Sequence, residues 1–337
     1  MKIKDVAERL GISQRAIRFY EKQGLLKPSR REHNRYREFG EDDIWRLQTI
    51  VALREAGMPI ADIRGALAVI DAKDGNRLME LLELQRSVMF AKWVEMKQII
   101  ETTDRMIETL RGNRTPALDD LYRLAEGSRR LREQRAWEDR WGFDGLAGDH
   151  DRLVREDKAK YPDYDEALRL VVRRVAPVRG ERGLDIGTGT GNLAGLCLEA
   201  GAEMAAVDQS MEMLKACRRK FPGAETRLGN FLALPYLDGR FDFAVSSFAL
   251  RHLTESQIPL AVREMRRVLK PHGRICVADL MGFGEGAAGE AVDAGSGLPL
   301  PALIDALESS GYLTRTDRVN ERLHVVLAVP VRPHRPE

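Results

Sequence analysis

The segment Arg182 to Asn192 constrains this chain more than any other part of it. Arg182 to Ile186 has the short apolar run of a buried strand, and it leads without a spacer into Asp185-Ile186-Gly187-Thr188-Gly189-Thr190-Gly191-Asn192. Glycine is needed where backbone adopts positive φ or approaches a ligand closely, and a helix starting near Asn192 would aim its free amide groups at whatever the loop holds. Strand, glycine loop and helix in that order describe the opening unit of a parallel, Rossmann-like α/β sheet.

A dinucleotide fingerprint would need a third glycine at position 192, where this chain has Asn192, and Asp185 stands two residues before the first loop glycine. That combination favours S-adenosylmethionine over a nicotinamide cofactor. About 20 residues on, a second strand, Met204 to Val207, ends at Asp208, whose carboxylate can accept both hydroxyls of a ribose. Gln209 follows it, and a third turn, Arg227 to Phe231, offers Asn230 and Phe231 to the edge and face of a purine ring. A fourth strand, Phe241 to Ser246, precedes Ser247 and the stretch through His252, and a fifth, Arg274 to Ala278, follows the tight turn Lys270-Pro271-His272-Gly273.

The pieces LDIGTGTG, AVDQS, LGNF, FDFAVSSFALRHL and VLKPHGRICVADL resemble the class I methyltransferases, above all the small-molecule type grouped with ubiquinone-biosynthesis enzymes, over roughly Phe143 to Val329. The resemblance implies a methyltransferase domain over 143–331 with a seven-stranded mixed sheet, taking S-adenosylmethionine and releasing S-adenosylhomocysteine. It puts Asp185, Gly187, Gly189 and Gly191 at the methionine moiety, Asp208 at the ribose, and Asn230 with Phe231 at adenine. Gln209 and Ser247 complete the candidate cofactor residues.

The sulfonium already activates the methyl group, so protein has mainly to align the acceptor and exclude water. Where a base is needed, His252, just beyond the fourth strand, is the candidate. Trp141, Tyr161, Tyr164 and Asp279 are further pocket candidates, and the glycine- and acid-rich Gly282 to Gly297 reads as a lid or a disordered loop. Leu300 to Ser309 should be a helix, with Thr314 to Arg318 and Leu323 to Val329 as the closing strands.

The other end of the chain has a different character. The overall charge of +2 conceals a net of +7 over Met1 to Arg37, eleven Lys and Arg against four Asp and Glu, which leaves −5 for the rest. Such an end seeks a polyanion. Val6, Ala7 and Leu10 recur at helical spacing, Gly11-Ile12-Ser13 makes a turn with an N-cap hydroxyl, and a second helix near Gln14 turns Ala16, Ile17 and Tyr20 inward and Arg15 and Arg18 outward. Gly24 ends it, and Lys27 through Arg37 reads as a basic hairpin, followed by helices carrying Ile44, Leu47, Ile50 and Leu53 and then Ile60, Ile63 and Leu67.

AIRFYEKQGLLKP, NRYREF and LREAGMPIADI resemble the winged helix-turn-helix of the MerR family, which covers Lys2 to about Leu67 within a domain set at 1–72. The resemblance implies DNA contacts from Arg18 and Tyr20 on the second helix and Tyr36 and Arg37 on the wing; charge adds Arg15 and Arg35. Next, over 73–113, Leu78, Leu82, Met89, Trp93, Met96, Ile99, Met106 and Leu110 trace a coiled-coil seam. MerR-family members dimerise antiparallel at this place, which implies a homodimer on a two-fold symmetric double-stranded operator. Residues 114–142 read as a helical linker and cap.

Composition sets the outer bounds. No apolar run reaches the roughly 20 residues that span a bilayer, and Cys197, Cys217 and Cys276 form no C-x-x-C pair, so neither a membrane anchor nor a thiolate metal site is expected. A cytoplasmic protein is expected. Two functions follow: a DNA-binding regulator with a working methyltransferase for a small molecule, or a non-catalytic sensor whose bound cofactor, product or effector tunes DNA binding. Nucleic-acid methylation lacks its Asn/Asp-Pro-Pro-Tyr motif, since Ser246-Ser247-Phe248 occupies that place.

Overall fold

The structure, a computed structural model, describes residues 1–30, 37–55, 58–111, 142–282 and 297–331. The chain divides into two compact units, Met1–Met89 and Phe90–Glu337. The wing tip with Arg35 and Tyr36, most of the 114–142 linker including Trp141, and nearly all of the loop between Gly282 and Gly297 lie outside the described residues.

In the first unit α1 (Ile3–Leu10) ends on Gly11 at φ +65, a conformation glycine adopts without strain. Ser13 then caps α2 (Gln14–Lys22), its hydroxyl accepting from the Ala16 amide at 3.0 Å. Two short antiparallel strands, β1 (Ser29–Arg30) and β2 (Arg37–Glu38), form the base of the wing. Helices α3 (Glu41–Glu55) and α4 (Ile60–Asp71) support it. Val6, Ile17, Leu25, Leu26, Phe39, Leu47, Ile50 and Ile63 close one buried core. The apolar spacing read from the sequence therefore marks the buried faces correctly. A 37-residue helix, α5 (Gly75–Arg111), follows.

In the second unit α6 (Phe143–Leu146), α7 (His150–Glu156) and α8 (Tyr164–Val175) precede the sheet. Its strands are β3 (Arg182–Ile186), β4 (Glu203–Asp208), β5 (Glu225–Leu228), β6 (Phe241–Ser247), β7 (Leu269–Gly282), β8 (Leu298–Pro299), β9 (Tyr312–Arg318) and β10 (Leu323–Pro330). Their order is β5-β4-β3-β6-β7-β10-β9, with β8 paired to the end of β7. β3 to β7 run parallel, and β10 lies antiparallel to both β7 and β9. The seven expected strands are present, and β8 is an addition.

Between the strands run α9 (Asn192–Glu199), α10 (Met211–Lys220), α11 (Ile258–Val268) and α12 (Leu300–Ser309). Successive strand residues alternate between two cores: Ala244 and Ile275 pack with α11 and α12, while Phe243 and Cys276 pack with α8 and α9. One expectation needs correction. The turn expected over Lys270 to Gly273 is instead part of a strand: β7 already starts at Leu269, and a register shift between Phe241 and Phe243 takes up those residues as a bulge.

Candidate cofactor and acceptor site

The strand order reverses at β3, whose neighbours are β4 and β6, and ligands of such sheets sit outside the carboxyl ends of the strands at that point. The glycine loop occurs there. Gly187 and Thr188 both donate to the Val207 carbonyl, at 2.8 and 3.0 Å, which turns the chain sharply off β3. Gly187, Gly189 and Gly191 all have positive φ. A Cβ on Gly187 would stand 2.4 Å from that of Ala249, and one on Gly191 would stand 2.5 Å from the Cys217 sulfur.

Asp185 is wholly buried, and its Oδ2 accepts from Thr188 Oγ1 at 2.7 Å and from the Ala194 amide at 3.1 Å. It thus fastens the loop to the first turn of α9, while Oδ1 is a buried oxygen without a hydrogen-bond partner. Burial pushes its carboxyl up to about 7, against the pull of those two donors. Asp208, at the end of β4, reaches the same loop: Oδ2 accepts from the Gly189 amide at 2.8 Å and Oδ1 from the Ser210 amide at 2.9 Å. Four of the residues singled out from the sequence are thereby linked around one turn of backbone.

The other cofactor candidates take more varied places. Asn230 commits its side-chain oxygen to its own turn, accepting from the Leu232 and Ala233 amides at 2.9 and 3.1 Å. Phe231 is buried in the sheet core, with its ring edge 3.4 Å from where a Cβ on Gly187 would lie. Gln209 and Ser247 are half-buried at the ends of β4 and β6.

Beyond β6 the backbone is strained. Phe248 has φ +53, costly for a residue with a bulky side chain. Its ring lies 5.6 Å from that of Tyr161 and 5.2 Å from that of Tyr164, and the Arg251 guanidinium covers Tyr161 at 5.2 Å. Asp279 is buried at the end of β7; its Oδ2 accepts from the Arg251 amide at 3.0 Å, and burial raises its carboxyl to about 6. Tyr161, Tyr164 and Asp279, read from sequence as pocket residues, are thus gathered on the β6–β7 side of the edge.

His252 sits in a single 3-10 turn with its ring edge-on to Phe143, centroids 5.2 Å apart. Burial, with the Arg251 charge beside it, lowers its pKa to about 4. It is therefore neutral at pH 7. An unfolded histidine titrates near 6.5, so between about pH 6.5 and 4 the unfolded chain binds more protons and folding stability falls as pH falls. His252→Gln is expected to remove a loss of about 2–3 kcal/mol across that window. Urea unfolding at a series of pH values checks it; parallel stability curves for the two proteins would refute it.

Sequence reasoning missed a set of polar groups in front of the loop. Asp144 accepts from Ser210 Oγ and, at 3.3 Å, from the Glu212 amide. His150 Nε2 lies 3.1 Å from where a Cβ on Gly189 would be. Asp151 Oδ1 accepts from Thr190 Oγ1 at 2.6 Å and Asn192 Nδ2 at 3.1 Å, and Lys220 donates to Asp151 Oδ2 at 2.7 Å. No periodicity marks these residues. Among the described residues, no cluster of three His, Cys, Asp or Glu side chains is placed to hold a metal.

On the head, Arg15 and Arg18 are exposed on α2. Tyr20, expected among the DNA contacts, is instead part of the head's core, since the helical period that exposes Arg18 turns position 20 inward. Arg37 is half-buried, and its Nε donates to Glu21 Oε2 at 2.6 Å.

Comparison with known proteins agrees with both halves. Residues 1–69 match the family described as MerR HTH family regulatory protein, and residues 184–277 match that described as Methyltransferase domain. The demethylmenaquinone methyltransferase of Renibacterium salmoninarum is 38% identical over 137 residues, 41% of this chain and 56% of that protein. Thus the chain spans little more than half the length of that relative. The uncharacterised methyltransferase YrrT of Bacillus subtilis is 30% identical over 177 residues, which cover 51% of this chain and 81% of YrrT. The chain belongs to the methyltransferase family. It also carries a MerR-type helix-turn-helix domain at its N-terminus. Among solved structures, a methyltransferase from Aquifex aeolicus matches with a TM-score of 0.44 at 20% identity, over 55% of this chain and 98% of that one.

Proposed function

We propose that this chain is a dimeric, DNA-binding regulator of MerR type whose body transfers a methyl group from S-adenosylmethionine to a small molecule. The observation that carries the reading is the positive-φ glycine loop after β3, tied to the carboxylate that ends β4 by the hydrogen bond from the Gly189 amide to Asp208. That geometry suits a nucleoside whose charged methionine end lies on the loop and whose ribose meets the carboxylate. Its cofactor is S-adenosylmethionine, and S-adenosylhomocysteine is the product.

The acceptor side is lined by Tyr161, Phe248 and the Arg251 guanidinium, which suits a flat ring system at the reacting end of the acceptor. Demethylmenaquinone, from the name of the Renibacterium relative, is the first to try. Isothermal calorimetry with S-adenosylhomocysteine, followed by isotope-labelled methyl transfer to a panel of acceptors, tests the reading. Absence of cofactor binding to folded protein would overturn it.

The packing of the His252 ring edge-on against Phe143, centroids 5.2 Å apart, favours a second reading for acceptors that must lose a proton. In it the body binds its ligand only to bias the head's grip on DNA. Binding without turnover, together with an operator affinity that changes on adding S-adenosylhomocysteine, would select it.

The operator partner is double-stranded DNA with two-fold symmetry. Arg15 and Arg18 on α2 are the candidates for base and phosphate contact, with Arg35, Tyr36 and Arg37 from the wing. The homodimer rests on α5, where the seam residues Leu82, Met89, Met96 and Ile99 are exposed within the chain and call for a second helix. No helix among the described residues is long and apolar enough to cross a membrane. A DNA partner suits residence in the cytoplasm.

A further inference from the structure

The segment from Phe143 to Glu156 forms a strap in front of the cofactor loop, and its polar contacts converge on that loop and on the turn after β4. Asp151 meets Thr190, the residue between the last two loop glycines, and Asn192, the first residue of α9. Lys220, the last residue of α10, binds three of these groups at once: Asp151 Oδ2 at 2.7 Å, Asn192 Oδ1 at 2.6 Å and Thr190 Oγ1 at 3.2 Å. Its ammonium thereby uses all three of its protons. Beside Asp151, the His150 ring stands over Gly189, and six residues before it Asp144 receives the Ser210 hydroxyl.

A structural role alone accounts poorly for this network. The Asp151 and Lys220 side chains are about one-third exposed, at 32% and 31%, and an ion pair at that exposure adds little to global stability. The described hydrogen bonds from these two side chains all end on each other or on residues 190 and 192. What they fix is the path of a glycine-rich loop, which without outside help keeps more freedom than any other backbone.

We propose that Asp151 and Lys220 act as a positioning pair that holds Thr190 and Asn192 so that the glycine loop keeps its cofactor-binding shape, and that the strap docks on the loop only in that shape. The inference rests on the reading that this loop holds S-adenosylmethionine. Neither residue touches the cofactor in this account; both act through the loop. Since strap and cofactor favour the same loop conformation, each strengthens the other's binding by the same factor.

Calorimetric titration of S-adenosylhomocysteine into the full-length wild type, Asp151→Asn, Lys220→Met, the double variant and Lys220→Arg tests the proposal. Each single neutral substitution is expected to weaken binding about tenfold, and the double variant no more than the weaker single, because either change dissolves the same network. Lys220→Arg should recover most of the affinity, with melting temperatures close to wild type throughout. In turnover, the cofactor KM should rise by more than kcat falls. Hydrogen exchange should show added protection of 143–156 on ligand addition in the wild type and not in Asp151→Asn. Wild-type affinity in the single variants, or losses that simply add in the double, would overturn the pair while leaving the cofactor reading intact. A wild-type protein that does not bind S-adenosylhomocysteine overturns that reading and the pair with it.

Discussion

Gly191→Ala is expected to lower folding stability by about 2–6 kcal/mol and to reduce cofactor binding below detection. Position 191 has φ +89, where a side chain brings a strain of about 1–3 kcal/mol. The new methyl would stand 2.5 Å from the sulfur of the buried Cys217 and 3.0 Å from the Phe221 ring, an overpacking cost of about another 1–3 kcal/mol. Relief by backbone movement is closed off in both directions, because the Gly191 amide donates to Thr188 O at 2.9 Å and its carbonyl accepts from Gly195 N at 2.8 Å. Any shift is therefore passed to the loop and to the start of α9. Denaturant unfolding checks the stability, and calorimetry with S-adenosylhomocysteine checks the site. Adding Cys217→Ala should return only part of the loss, since it removes the nearest contact and leaves the positive φ and the Phe221 contact. Complete recovery by that second change would show the strain argument to be wrong. Gly189→Ala is the milder comparison, because its neighbour at 3.1 Å is the far end of the His150 ring, which can turn aside.

The parts of the site that were legible in the sequence are those whose chemistry depends on neighbours along the chain. Gly187, Gly189 and Gly191 announce positive φ by residue type, and Asp208 follows from the end of a strand of readable length. The two cores were legible for the same reason, as with Ile44, Leu47 and Ile50 at helical steps. Tyr20 shows which signal was the stronger: spacing turned it inward while resemblance made it a DNA contact, and it is buried. Contacts between distant segments leave no such trace. Asp151 and Thr190 are 39 positions apart, and Asp151 and Lys220 are 69 apart, so a carboxylate and an ammonium on two polar helix ends look like ordinary solvated charge. The bulge at Lys270 to Gly273 escaped likewise, since Pro and Gly signal a turn and only pairing with β6 draws them into a strand.

Asp208→Ala should weaken S-adenosylhomocysteine binding by at least about 100-fold, more than any change in the strap. Besides accepting the Ser210 amide at 2.9 Å, the carboxylate does two things at once. It accepts the Gly189 amide at 2.8 Å, which closes the loop against β4, and it lies where a ribose on that loop would bring its two hydroxyls. Hydrogen bonds to a charged partner contribute about 1.5–3 kcal/mol each, so losing two of them alone predicts a weakening of about 10²–10⁴-fold. The positioning pair, by contrast, changes only the freedom of the loop, which is why its expected effect is about tenfold. Asp208→Asn separates the two contributions: its one carbonyl oxygen can keep the Gly189 contact but not the charge, so its affinity should fall between wild type and alanine. Asp208→Glu is a sharper test, for it restores the charge one methylene further out, where the Gly189 amide and the sugar cannot both be met. If glutamate bound as well as aspartate, charge near the site would be sufficient. The tie between the two loops, on which the cofactor reading depends, would then have no function.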